Sequence, residues 1–123
     1  MVLGGDCLVD LAPFAYLNER YDGELAVLWV DTHPDFSSAG QLAHAHAMVL
    51  ANLLGESDEA LAGEVKVPVK EKNVLYAGLR DPTPWEAGEM QRLGLKAIGP
   101  DELAREGSKP VLEWFQSTGV RSA

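Results

Sequence analysis

Apolar positions along this chain of 123 residues fall into short unbroken runs and into runs spaced three or four apart, the two periods that mark buried strands and amphipathic helices. Met1 to Leu3 is apolar and Gly4-Gly5-Asp6 forces a tight turn, so the pattern predicts a short strand, a turn, and an amphipathic helix from Leu8 to Leu17 with Pro13 early in it. Asn18 to Glu24 is a polar connector. Leu25 to Val30 is almost continuously apolar, as expected of a parallel strand covered on both faces. Helical spacing returns from Gln41 to Leu54 and is closed by Gly55. Glu56 to Lys72, with Pro68 inside it, reads as a short helix and a loop, and Asn73 to Leu79 as the next strand. After the loop Arg80-Asp81-Pro82-Thr83-Pro84 come a helix over Trp85 to Leu93, a short strand over Lys96 to Ile98, and helices starting at Pro100 and running over Pro110 to Ser117.

Strands alternating with helices predict an α/β protein, a three-layer α/β/α arrangement around a mostly parallel sheet with right-handed crossovers. Residues 1–123 read as one domain, and as an incomplete one. The first strand has only three residues before its turn and the last helix leads to no strand, which leaves sheet edges of the kind whole proteins usually cover. The domain is expected to lack both its N-terminal start and its C-terminal portion.

Charge narrows the partners. Nineteen acidic against ten basic residues give −9, which repels phosphate backbones and argues against nucleic acid or an anionic membrane surface. The acids are scattered, so solubility explains the balance better than steering does. A single cysteine, Cys7, excludes an internal disulfide, and no leader opens the sequence, so a cytoplasmic location is expected. No apolar stretch approaches the roughly 20 residues of a membrane helix.

The segment Asp31-Thr32-His33-Pro34-Asp35 carries the strongest chemical signal. On an extended backbone, alternate residues project to one side, so Asp31, His33 and Asp35 are expected to converge while Thr32 and Pro34 face away. Two carboxylates and an imidazole form a mixed oxygen and nitrogen set suited to Mn, Fe, Co or Zn. Pro34 cannot join a strand ladder and puts the group just past the sheet, where open α/β sheets bind ligands. The same letters also suit a solvated turn.

Four segments in order carry a family resemblance. Leu3-Gly4-Gly5-Asp6-Cys7 resembles LGGDH, Trp29-Val30-Asp31-Thr32-His33-Pro34-Asp35 resembles W-x-D-A-H-x-D, Ala43 to Gly55 resembles G-N-x-H-G-M-P-L-A-x-L-L-G, and Tyr76-Ala77-Gly78-Leu79-Arg80-Asp81 resembles Y-I-G-L-R-D. These are motifs of the ureohydrolases, the arginase, agmatinase and formimidoylglutamase family, and the resemblance covers nearly the whole chain. It implies two manganese ions sharing a hydroxide that attacks a guanidinium or amidine-like carbon and releases urea or formamide. It implies further that Asp31 bridges both metals, that His33 binds one and Asp35 the other, and that His46 shuttles protons. His44 stands where the family often has asparagine, and Thr83 where arginases commonly carry an aspartate for the substrate's amino group. Both are candidate substrate contacts.

Departures from the family pattern alter those expectations. Cys7 takes the place of the family's first metal histidine; as a thiolate ligand it favours Zn2+ or Fe2+, and the alternative is a small buried thiol behind the turn. Ala47 replaces a glycine after His46. Nothing after Asp81 offers two acids on a strand, because Asp101-Glu102 opens a helix, so half of the family's ligand set is missing.

Several residues have bland readings. His44 and His46, two apart, cannot share one helical face, and His44 suits a solvent-facing place. Glu86 and Glu89 suit surface acids at a helix start, and Arg80 with Asp81 a structural ion pair. Trp29, Trp85 and Trp114 suit core or interface positions. The leading expectation is thus a fragment of a binuclear-metal hydrolase whose small, cationic guanidino or formimino substrate loses a C–N bond, from a parent that is a homo-oligomer. The fragment itself is expected to be inactive alone. The alternative is a non-catalytic metal-binding or oligomerising relic of that family; a third reading is a phosphoester-cleaving metallohydrolase, which the acidic balance does not favour.

Overall fold

A computed structural model describes residues 2–42, 44–57 and 59–120. Met1, in the first predicted strand, Ala43, in the predicted helix Gln41 to Leu54, and Asp58, in the segment Glu56 to Lys72, lie outside the described residues. Two compact units emerge, one of Met1–Gly23 and Asp35–Val69, the other of Glu24–Pro34 and Lys70–Ala123.

The second unit holds the sheet. Strands β1 (Val27–Val30), β2 (Val74–Ala77) and β3 (Lys96–Ile98) lie in that order and are all parallel, with Leu28 opposite Leu75 and Leu75 opposite Lys96. This is the α/β class with a parallel sheet that the alternation predicted. The central strand β2 is buried throughout, as its unbroken apolar letters require. Ala26, Leu75 and Ile98 pack with Trp114 and Val120, and the partly buried Leu103, Val111 and Phe115 extend that cluster. Helices α4 (Pro84–Leu93), α5 (Pro100–Glu106) and α6 (Lys109–Thr118) each begin with proline in the first turn, where a missing N–H costs nothing.

The expectation for β1 needs correction. Its pattern alternates, with Val27 and Trp29 buried but Leu28 39% and Val30 74% exposed. A continuous apolar run marks a strand whose faces are apolar, and does not establish that both are covered among the described residues. Of the tryptophans, Trp29 and Trp114 are buried as expected and Trp85 is half-buried.

The first unit is built from shorter pieces. A 3-10 turn over Cys7–Asp10 runs into α1 (Leu11–Arg20); a second 3-10 turn, Ala45–Met48, leads to α2 (Val49–Leu53), and α3 (Glu59–Ala62) follows. Phe36, Val49, Leu50 and Leu53 are its fully buried centre. Two expectations fail here. Val2 and Leu3 form no strand and are exposed, because an isolated extended segment without a ladder partner has no sheet to join. The long helix expected from Gln41 does not form: helical structure begins only at Ala45, and as a 3-10 turn. Residues 35–37 take the place of a preceding helical turn, the Asp35 carbonyl accepting from Leu50 N–H at 3.1 Å and Ser37 N–H donating to Ala47 at 2.9 Å.

Candidate metal centre

In the first unit, Gly4 lets the chain fold tightly over the first turn, since a Cβ there would meet Val9 at 2.6 Å. Asp6, at φ 41°, then caps that turn by accepting from Leu8 N–H at 2.9 Å. The result presents half-buried Cys7 at the start of the turn. Its sulfur and a carboxylate oxygen of Asp35 lie within 4.8 Å of each other. Asp35 is only 4% exposed and sits at φ 46°, a backbone region that L residues visit rarely.

Burying an ionised carboxylate is costly unless charge compensates it. A cation does so, and a thiol beside it is a second donor that becomes a strong ligand when deprotonated. The pair therefore fits a divalent metal, and its mixed soft and hard character suits Zn2+ or Fe2+ as well as Mn2+.

His44 and His46 belong to the same unit. His44 is extended, at φ −120° and ψ 117°, just ahead of the 3-10 turn that holds His46. Helix has not begun at His44, so the divergence expected of two residues on one helix does not apply: the exposed rings stack, 5.6 Å between centroids and 16° between planes.

In the sheet unit, Asp31 follows β1 directly, but residues 31–33 bend instead of continuing extended. The Asp31 carboxylate accepts from His33 N–H at 2.9 Å, an Asx-type turn that replaces the extended alternation expected between Asp31 and His33. The His33 side chain is 66% exposed, its Nδ1 3.7 Å from Asp31. Pro34 is fully buried, and its carbonyl accepts from the hydroxyl of Tyr76 at 2.8 Å.

Tyr76 is the residue that sequence reasoning missed. It is wholly buried in β2 and ties that strand to the loop bearing Asp31 and His33. A tyrosine within an otherwise aliphatic buried strand is the signal, since a buried hydroxyl needs an acceptor. The backbone of Arg80 and Asp81 adds to this anchoring: their N–H groups donate to the Thr32 carbonyl at 3.0 and 3.5 Å, while both side chains are exposed and make no pair with each other.

Thr83 caps α4. Its hydroxyl accepts from Glu86 N–H at 3.2 Å and donates to the Glu86 carboxylate at 2.9 Å, a complete capping box. Glu86 is consequently 6% exposed, not the surface acid expected, and Glu89 pairs with Arg92 at 2.8 Å. No strand among the described residues carries two acids.

The arginase family model matches residues 1–119. This chain belongs to the arginase family. It is 30% identical to arginase of Neurospora crassa over 92% of its own length and 35% of that protein, and 28% identical to arginase-1 of Bos taurus over 92% and 37%. The crystal structure of arginase from Bacillus subtilis superposes with a TM-score of 0.84 at 30% identity, covering 95% of this chain and 41% of that one. The chain spans about a third of the length of the curated relatives it matches. The family assignment and the arginase-like α/β fold thus agree with the motifs, and the family is one of metal-dependent hydrolases. Among the described residues no helix is long and apolar enough to cross a membrane.

Proposed function

We propose that this chain carries the first part of the metal-ligand set of a ureohydrolase, within a larger domain that hydrolyses a C–N bond of a guanidino or formimino substrate. The observation that supports it is the buried carboxylate of Asp35 beside the Cys7 thiol, in a chain that matches the arginase family over residues 1–119. On this reading Asp31, His33, Asp35 and Cys7 are ligands. These residues would hold part of a two-Mn2+ site, with Zn2+ or Fe2+ favoured to the extent that the Cys7 thiolate took part.

A cation held by these groups supplies Lewis-acid activation of water near neutral pH. The chain's own residues do the rest. Asp31 and Asp35 would neutralise cationic charge, and Asp31 holds the bend through the His33 N–H. His46, exposed on its 3-10 turn, takes a proton from the attacking water and returns one to the leaving amine, which imidazole chemistry suits. His44 offers a ring N–H to the substrate's polar end. Thr83 is a weaker substrate contact, because its hydroxyl is engaged by Glu86. The substrate is small and cationic, and the parent is a homo-oligomer.

The natural protein that carries this chain, purified and supplied with Mn2+ or Zn2+, is expected to release urea or formamide from a panel of guanidino and formimino compounds; release of neither overturns the proposal. Cys7, standing where the family has its first metal histidine, favours a second reading, a metal-binding or oligomerising relic without catalysis. Elemental analysis with size measurement separates the two, since a chain that neither holds metal nor associates is no such module.

A further inference from the structure

We propose that His44 and His46 form a second metal site, a surface chelate for a borderline divalent cation such as Ni2+, Cu2+ or Zn2+, distinct from the Cys7 and Asp35 donors. Residues two apart on an α-helix point about 200° apart around its axis. Here the change from extended backbone at His44 to a 3-10 turn at His46 brings both imidazoles to one side, stacked with centroids 5.6 Å apart.

Stacked rings do not chelate as they stand. Both side chains are exposed, however, and rotation about the Cβ–Cγ bond of a histidine is broad and soft. From this spacing one nitrogen of each ring can turn to a shared point. Two bonds of about 2.0–2.1 Å at a tetrahedral centre place their nitrogens a little over 3 Å apart, within reach of rings so close, and water fills the remaining positions. Imidazole nitrogens prefer Ni, Cu and Zn to the harder Mg or Ca. Neither imidazole falls in one donor cluster with the Cys7 thiol and the Asp35 carboxylate, so the two sets act separately.

The consequence is regulatory. If His46 carries protons, as the proposed function holds, a cation on this pair occupies the nitrogen that the proton needs, and an excess of such a metal inhibits while the catalytic metal stays in place. That consequence rests on the proposed function; the chelate itself does not.

The test is titration of Ni2+ alone by calorimetry into this chain with Cys7→Ser, which removes the thiolate donor of the other site, and into the same chain carrying in addition His44→Asn or His46→Asn. The Cys7→Ser chain is expected to bind Ni2+ in the micromolar range, and each added histidine substitution to weaken it by about tenfold or more through loss of the paired ligand. Unaltered binding in both histidine variants, or no Ni2+ binding by the Cys7→Ser chain, overturns the proposal. A second measurement needs no substitution: paramagnetic Ni2+ is expected to broaden the ring proton resonances of His44 and His46 first, and broadening that spares both rings counts against the site. No substrate is present in either experiment, so its failure and the failure of urea release are separate outcomes.

Discussion

In the unit that contains Cys7 and Asp35, the chain enters positive φ at three aspartates, Asp6 at 41°, Asp22 at 54° and Asp35 at 46°, as well as at Gly23 and Gly55. Among the described residues of the sheet unit it does so only at glycines, Gly78, Gly94, Gly107 and Gly119. Glycine adopts that region without steric penalty, whereas an L residue gives up about 1–2 kcal/mol. The helices and central strand of the sheet unit thus obey local rules, with proline at helix starts, glycine at helix ends and an apolar β2. The other unit breaks them, and it holds the buried carboxylate and the histidine pair. Strain of this kind concentrates where a side chain must be aimed. Aspartate is the residue that bears it best, because its carboxylate can bond nearby backbone, as Asp6 does with Leu8 N–H.

Four measurements break or sharpen this contrast. The largest effect is expected from Leu75→Ala, which empties a position 1% exposed between Ile98 and Trp114 and should destabilise the chain by about 2–5 kcal/mol in urea titration. A loss well below that range would mean that the sheet unit is not the tightly packed half. Next, Tyr76→Phe leaves the Pro34 carbonyl without its donor and should cost about 1–3 kcal/mol, with His33 resonances shifting if the hydroxyl holds the loop.

A pair of glycine exchanges tests the contrast directly. Asp22→Gly should raise stability by up to about 1 kcal/mol by relieving φ 54°, whereas Gly94→Ala, at the end of α4 with φ 68°, should lower it by about 1 kcal/mol. Changes of the same sign in both would remove the distinction between the units. The smallest effect concerns Glu24, whose carboxyl is held below its ordinary value of 4.5 by its hydrogen bond and ion pair with Lys70. A depressed folded-state value means that the contribution is complete above about pH 4.5 and disappears as pH falls through the lowered value. Acid titration of Glu24→Gln alongside the parent sequence should therefore show a slightly shallower loss of stability below that pH; identical curves would mean that the exposed pair contributes nothing.

Much of the sheet unit was legible in advance. Lys96 to Ile98 is a strand within the predicted limits, β2 lies inside Asn73 to Leu79, and Pro100 opens a helix as expected, while α4 begins at Pro84, one residue before the predicted start. The site was legible as a set of residue types and less so as geometry. The alternation of a strand was expected to run through Asp31 and His33, but the Asp31 carboxylate turns the backbone there by taking the His33 N–H. A side chain that competes with the strand for a backbone donor defeats any argument from strand period.

Period, proline placement and the order of four motifs are local properties of the letters, and they suffice for the α/β class, the parallel strands and the family. The pairing of Cys7 with Asp35, the stacking of His44 on His46, the burial of Glu86 and the tie from Tyr76 to Pro34 needed the folded chain. Each joins groups whose relative direction depends on where a helix begins or a backbone bends. Those boundaries are set by hydrogen bonds between distant residues, such as Leu50 N–H to the Asp35 carbonyl, which no window of neighbouring letters contains.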